Sequence, residues 1–381
     1  MRDVVIVEAV RTPIGKRNGG LSAVHPAELL AAVQRAAVDR SGIDPVQIQQ
    51  VVGGCVSQFG PQGMNITRTA WLTAGLPMET ASSTLDAQCG SSQHATNVAY
   101  SMIKAGVVDV ALACGVEVMS QVPIMAGTPP TATSPLPPTY PLEWTTQFQG
   151  AELIAQKWGI TRDALDTFGV ESQRRAATAW NEERFQTQIA PVLGVHKDEG
   201  LRATSMESVA NLQPVLPAGD PMLGGEPGRH TAATASQISD GAAAVLLMTS
   251  DRAAELELTP LARIVDACLV GSDPLLMLTG PIAASHQILA RNGLSQSDID
   301  IVEINEAFAA IVLAWQLELD PDPATVNPNG GAIALGHPLG ATGAILVTKA
   351  VHELQRTRGE YAFVTMCCGG GLGTGTLLRR L

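Results

Sequence analysis

The chain has 381 residues, enough for more than one core or a duplicated one, and its 45% hydrophobic and 16% charged residues allow ample burial. A formal charge of −12 with a pI near 5.0 argues against a nucleic-acid or anionic-membrane surface, and no apolar run is long enough to span a bilayer. Met1-Arg2-Asp3 leads straight into a strand-like run, without a basic leader and apolar core, so the expected location is the cytoplasm. The six cysteines, Cys55, Cys89, Cys114, Cys268, Cys367 and Cys368, form no C-x-x-C pair. No zinc or other metal site is assigned, and in a reducing compartment the thiols are expected to be free.

In chain order, Asp3–Ala9 reads as a strand ending in the turn Arg11-Thr12-Pro13-Ile14-Gly15. Pro26 opens an amphipathic helix through Arg40, closed by Gly42. Ile48–Val56 reads as a strand, Gln58–Gly63 as a loop and Ile66–Ala74 as a helix. A short strand at Thr84–Ala87 leads to the turn Cys89-Gly90-Ser91-Ser92, a helix over Gln93–Ala105 and a buried strand over Val107–Cys114.

From Pro260 this order recurs. Ala262–Ala267 echoes the first strand, Pro281–Asn292 the first helix, and Ile301–Ile304 the strand before Cys55. Val326 then leads to a glycine-rich turn, a helix to Gln355 and the buried strand Tyr361–Met366, which ends in cysteines. Two copies of one strand–helix plan imply a duplicated α/β fold with pseudo-twofold symmetry and mostly parallel sheets. The symmetry would set the Cys89 turn and the glycine-rich turn at equivalent sheet ends, facing one crevice.

Between the copies the character changes. Pro123–Pro141 is too rich in Pro and Thr for regular structure, and helices follow at Ala151–Trp158 and Ala164–Asn181. We read residues 117–236 as an inserted domain lying over the crevice, residues 1–116 with 237–256 as the first half, and residues 257–381 as the second.

Chemistry concentrates in four places. Asn327–Gly343 holds His337 on a glycine-walled turn, directly before Pro338 and a helix start. Cys89 precedes a helix, whose dipole would lower its pKa and favour the thiolate, although a packed turn cysteine fits the same residues. Cys367 ends a buried strand beside Gly369-Gly370-Gly371, where open space and backbone N–H donors adjoin the sulfur. Asn305-Glu306 emerges from a strand end, with Asn305 either a hydrogen-bond donor in a site or an N-cap. His25, His94, His196, His230, His286 and His352 lack such settings and are assigned no chemistry.

Together, Cys89, N-E-A-F at 305–308, G-H-P at 336–338 and C-x-G-G-G at 367–371 resemble the thiolase family, a resemblance that extends along nearly the whole chain. It implies the thiolase fold, two α/β halves packed as five layers (αβαβα) with an inserted loop domain. It also implies an acyltransferase with coenzyme A as co-substrate and no covalently bound cofactor. By resemblance Cys89 is the nucleophile that becomes acylated, His337 takes its proton, and Cys367 is the acid/base for the departing carbanion and incoming CoA. Asn305 would hold a water that shares an oxyanion hole with His337, and the N–H groups of Cys89 and Gly369 would form a second hole. Ser236 would touch pantetheine, Arg202 and Thr204 the nucleotide end, and Gln147 is a further carry-over. Phe308 would line the acyl tunnel.

The sequence departs from the family pattern at Ser92 and Cys368. The segments G-K-R-N-G-x-L-S, Q-C-G-S, S-Q-I-S-D-G-A-A-A-V and I-V-E-I-N-E-A-F-A resemble actinobacterial degradative thiolases, some of which cleave steroid-derived acyl-CoAs. The implied reaction is cleavage of a 3-ketoacyl-CoA, with acetoacetyl-CoA thiolase and a non-catalytic acyl-CoA or lipid binder as alternatives. A homodimer is expected, because Pro123–Pro141 replaces the longer loop that joins thiolase tetramers. A tetramer is the alternative.

Overall fold

The computed structural model describes residues 2–126 and 134–381. The first half runs β1 (Val4–Arg11), β2 (Gly15–Lys16), α1 (Pro26–Ser41), β3 (Gln50–Gly54), α2 (Ile66–Thr73), β4 (Ala81–Leu85), α3 (Ser91–Lys104) and β5 (Val110–Val118). The inserted stretch carries α4 (Gln147–Lys157), α5 (Arg162–Asn181) and α6 (Met206–Ala210); β6 (Ser239–Thr249) and α7 (Ser250–Glu255) return to the first half. The second half runs β7 (Ala262–Gly271), α8 (Gly280–Asn292), β8 (Ile301–Ile304), α9 (Ala309–Leu319), α10 (Ala332–Leu335), α11 (Leu339–Thr357), β9 (Tyr361–Cys368) and β10 (Leu372–Arg380). Of Pro123–Pro141, residues 127–133 lie outside the described residues, and the remainder holds neither helix nor strand.

Local chemistry explains the repeated elements. Both α1 and α8 begin with a proline in the first turn, and each closes on a left-handed glycine, Gly42 at φ 72° and Gly293 at φ 63°. His25, given no chemical role from sequence, caps α1 by accepting the Ala27 N–H.

Strand order is β4-β3-β5-β6-β1-β7-β10-β9-β8, with β2 on β6. Outward from the β1–β7 seam, β1-β6-β5-β3-β4 is matched by β7-β10-β9-β8. Val326, bridged to Val302 of β8, stands where β4 stands in the first half. The seam is short: Val4 pairs with Ile264, Val5 with Arg263 and Ile6 with Ala262. Helices α1 and α2 cover the outer face of the first half, with Leu30 and Trp71 packing in one cluster with Leu112 and Leu246. Helices α8 and α9 do the same for the second, through Ile288 and Trp315 against Phe363 and Leu377. Between the halves lie α3 and α11, whose Ile103 and Val351 share a core with Val245 and Val364. The order is αβαβα, and a thiolase-type duplicated fold is what the sequence implied.

The expected mostly parallel sheets are not what forms. Among the described strands only β3–β4, β3–β5 and β8–β9 are parallel, whereas β1–β6, β2–β6, β5–β6, β1–β7, β7–β10 and β9–β10 are antiparallel. Strand β10 follows β9 through a tight glycine turn, and β6 returns antiparallel to β5 after the inserted stretch. Because β6 is buried at every residue, its Ala/Leu run carries no alternation to announce it. Among the described residues, no helix is long and apolar enough to cross a membrane.

The two central helices pack closely. A Cβ added at Gly343 of α11 would lie 2.2 Å from the Gln93 backbone nitrogen of α3. Gly343→Ala is expected to destabilise the fold by about 1–3 kcal/mol, read as a lowered midpoint in chemical denaturation. An unchanged midpoint would show that the helices part without cost.

Candidate active site

Cys89 stands on an elbow between β4 and α3. The preceding Gln88 adopts φ 53°, a left-handed conformation unusual for a side chain of its size. Ser91 fixes the elbow: its hydroxyl donates to Gln88 O at 2.6 Å and accepts the Ala87 N–H at 3.0 Å. The turn places Cys89 in a nearly closed position, 5% exposed.

His337 stands at the equivalent point before α11. Gly336, at φ 119°, admits no side chain, since a Cβ would lie 2.4 Å from the Ser239 hydroxyl. That same hydroxyl accepts the His337 N–H at 3.0 Å. Thr342 Oγ1 donates to Pro338 O at 2.9 Å, so its remaining capacity is to accept, and His337 Nδ1, 2.6 Å away, carries the proton. The tautomer follows: Nε2 is the lone-pair nitrogen and receives the Asn305 amide at 3.3 Å. Asn305 is therefore not an N-cap, because α9 begins only at Ala309 with Phe308 in the cap position. Its Oδ1 is buried without a partner among the described residues.

The Gly369 N–H is directed at the Cys89 sulfur. Cys367 is fully buried and close enough that a Cys89 thiolate would raise its pKa. His337 and Asn305 thus form one bonded pair, and Cys89, Gly369 and Cys367 form a second close group, the five residues coming from four separate stretches of chain.

Burial dominates the site's electrostatics. It pushes the Cys89 thiol up to about 12, with the Glu117 and Asp86 carboxylates adding to the rise and the Gly369 and Cys89 N–H groups opposing it. The thiolate expected from the helix dipole is therefore not the resting form, because desolvation outweighs the N–H groups. Burial also raises Cys367 well above the ordinary thiol value and lowers His337 to about 4.

The sequence matches the family description "Thiolase, N-terminal domain" over residues 4–251 and "Thiolase, C-terminal domain" over residues 258–380. The chain belongs to the thiolase family. As a thiolase it is an enzyme of the acyltransferase class. It is 45% identical to the steroid 3-ketoacyl-CoA thiolase FadA6 of Mycobacterium tuberculosis, over 100% of this chain and 95% of that protein. It is 39% identical to a 3-ketoacyl-CoA thiolase of Idiomarina loihiensis and 38% identical to an acetyl-CoA acetyltransferase of Syntrophomonas wolfei, in both cases over 100% of each chain.

Around this thiolase centre the remaining candidates are spread more widely. Phe308 is buried in one cluster with Cys367, Met277 and Ile333, and its ring meets Phe148 edge-on at 4.9 Å. Ser236 is half-buried beside it, its N–H bonded to Ala307 O at 2.9 Å. Arg202 and Thr204 lie further out and line a cavity of about 120 Å³ with Gln173, Ser208, Leu212 and Ala233. Gln147 is the first residue of α4, next to Phe148.

Sequence reasoning missed Thr342 and Ser239, the residues that orient His337. Thr342 was reachable, because five residues past His337 falls on the first turn of the helix that follows. Ser239 lies 98 positions away, and nothing local marks it. Ser92, a departure from the family pattern, proves to be a brace: its hydroxyl accepts the Ala344 N–H of α11 at 2.9 Å.

The lowered His337 pKa has a stability consequence. Its folded value of about 4 lies below the ordinary 6.5, so as pH falls below 6.5 the unfolded chain takes up a proton that the native site refuses. Stability is lost as pH drops from 6.5 towards 4, by about 3 kcal/mol from this group. His337→Gln should lack that share, which denaturation at pH 7 and pH 4.5 would reveal as a flatter profile than wild type.

Proposed function

We propose that this chain is a degradative 3-ketoacyl-CoA thiolase, cleaving 3-ketoacyl-CoA with CoA to acetyl-CoA and a shortened acyl-CoA through a Cys89 acyl-enzyme. The reading is supported by a buried Cys89 thiol facing the Gly369 N–H with the Cys367 thiol close by, and by a buried His337 imidazole whose Nε2 is bonded to Asn305. His337 Nε2 takes the Cys89 proton, and the sulfur attacks the keto carbon. The C2–C3 bond breaks, its electron pair leaves as the acetyl-CoA enolate, and the Cys367 thiol protonates it. The Cys367 thiolate then takes the proton of incoming CoA, whose sulfur attacks the acyl-Cys89 thioester. Cys89 departs and recovers its proton from His337. Two thiols are required because nucleophile and proton donor act on the same bond from different atoms.

Charge developing on the acyl oxygen would meet the N–H groups of Cys89 and Gly369. On the thioester oxygen it would meet His337 with a water on Asn305, whose buried Oδ1 suits that task. Each such donor is worth ~2.7–4 kcal/mol of barrier. Residues 117–236 would serve as the loop domain covering the site, with Ser236 at pantetheine, Arg202 and Thr204 at the nucleotide end, and Gln147 and Phe308 along the acyl tunnel. The likeness to a steroid thiolase favours a bulky acyl group. The same reading places the enzyme in the cytoplasm as a homodimer. Among the described residues the end strand β4 pairs only with β3, and Asn65, bonded to Ser82 of β4, sets the 96%-exposed Met64 beside that open edge. Light scattering should give twice the chain mass, and a monomer would overturn the dimer.

Thiolysis followed by loss of 3-ketoacyl-CoA enolate absorbance, with acetoacetyl-CoA and a bulky 3-ketoacyl-CoA side by side, tests the function. The bulky substrate should turn over faster, and Cys89→Ala should lower turnover by at least ~10³-fold. Preference for acetoacetyl-CoA would move the role to short-chain metabolism. No turnover by folded, CoA-binding protein would favour a binding module instead.

A further inference from the structure

One dipeptide of α5, Ser172-Gln173, is bonded both to the segment we assign to the CoA nucleotide and to the turn that carries His337. Gln173 is 4% exposed. Its Oε1 accepts the Arg202 N–H at 2.9 Å, and its Nε2 donates to Ile333 O at 3.3 Å. Both partners are backbone groups, so the amide can face only one way. Ile333 lies in α10, which ends directly before Gly336-His337. Gln237 repeats the tie, its Nε2 donating to Gly200 O at 2.9 Å and Ile333 O at 3.1 Å.

Contact between the two segments is close. A Cβ on Gly200 would lie 2.7 Å from both Ala334 O and Leu335 O, so only glycine lets the approach to Arg202 rest on α10. Ser172 anchors the other side of the same turn. Its hydroxyl donates to Glu306 Oε2 at 2.6 Å and accepts the Gly331 N–H at 3.2 Å, and Glu306 Oε2 also accepts the Ile333 N–H at 3.2 Å. Glu306 follows Asn305 in the chain, so the catalytic amide and the imidazole turn share this anchor.

We propose that Gln173 is a positioning residue that registers the CoA-contact segment at Arg202 with the His337 turn, so that CoA affinity and Cys89 activation depend on one side chain. This rests on the thiolase reading for the place of CoA. Gln173 acts through Arg202 and Ile333 and moves no proton itself. Ser172 secures the His337 side alone, which allows the two effects to be separated.

The test uses the full-length protein and two readouts: the Kd of CoA by calorimetry, and the rate of Cys89 alkylation by iodoacetamide without CoA, followed by peptide mass spectrometry. Loss of a buried hydrogen bond between neutral groups changes an equilibrium or rate by about three- to tenfold. Gln173→Leu should weaken CoA binding and slow Cys89 alkylation by that factor each. Ser172→Ala should slow alkylation and leave the CoA Kd within about twofold. Gln173→Met, of equal length, carries the same expectation if the leucine variant does not fold. A folded Gln173 variant that alters only one readout, or shifts the thermal midpoint with both unchanged, would overturn the proposal. Neither readout requires turnover, so absence of thiolysis in wild type would sink the function and leave this coupling to be judged on its own.

Discussion

Gly343 of α11 rests on the backbone of Gln93 in α3, and the Ser92 hydroxyl takes the Ala344 N–H, so two buried helices are locked side by side between the sheets. The rest of the molecule depends on that contact. α3 begins two residues after Cys89, and α11 begins two residues after His337. The duplication therefore delivers Cys89 and His337 as symmetry mates, each before a helix N-terminus, without any local motif holding both. Among the described residues the halves otherwise pair in the sheet only along the short β1–β7 seam. The helix pair is what fixes the distance between the chemical groups.

A helix N-terminus usually stabilises an anion, yet the Cys89 thiol is raised and the His337 imidazole lowered. Both shifts disfavour charge and share one cause, removal of water. Both groups rest neutral. Charge separation becomes worthwhile only when a substrate oxygen takes up the developing negative charge against the N–H groups already in place. Thr342 makes this workable by fixing the imidazole tautomer, so that the basic nitrogen faces the site before any substrate arrives.

Much of this was legible in the sequence, and the exceptions have physical reasons. Capping and periodicity located α1 and α8, and Ile301–Ile304 forms β8 with the bounds its apolar run implied. Cys89 and His337 stood out because small residues and proline mark the turns that carry them. Strands β6 and β10 were hidden by burial on both faces, which erases alternation. Asn305 resembled a cap because a strand end and a helix start lie close together, and only the short Glu306–Phe308 stretch separates them. Buried charges were the hardest to foresee. Lys349 lies in an apolar helix and reaches Glu303 at 2.6 Å, and Arg11 pairs with Asp198, 187 positions away, at 2.7 Å. In each case the compensating partner is supplied by the tertiary fold.

The adjacent cysteines show where sequence and structure each contribute. In β9 successive side chains face opposite ways, and Ala362, Val364, Met366 and Cys368 all join the inner core beside α3. A Cβ on Gly90 would lie 2.5 Å from the Cys368 sulfur, which is wedged under the elbow and directs its thiol at Met366 O, 3.7 Å away. Cys367 faces the other way, into the cluster with Phe308, Met277 and Ile333. Only one of the two thiols therefore opens on the Phe308 side. Spacing to the glycine run had singled out Cys367, and the strand's alternation separates the two thiols: Cys368 supports the Cys89 turn from behind, and Cys367 faces the Phe308 cluster.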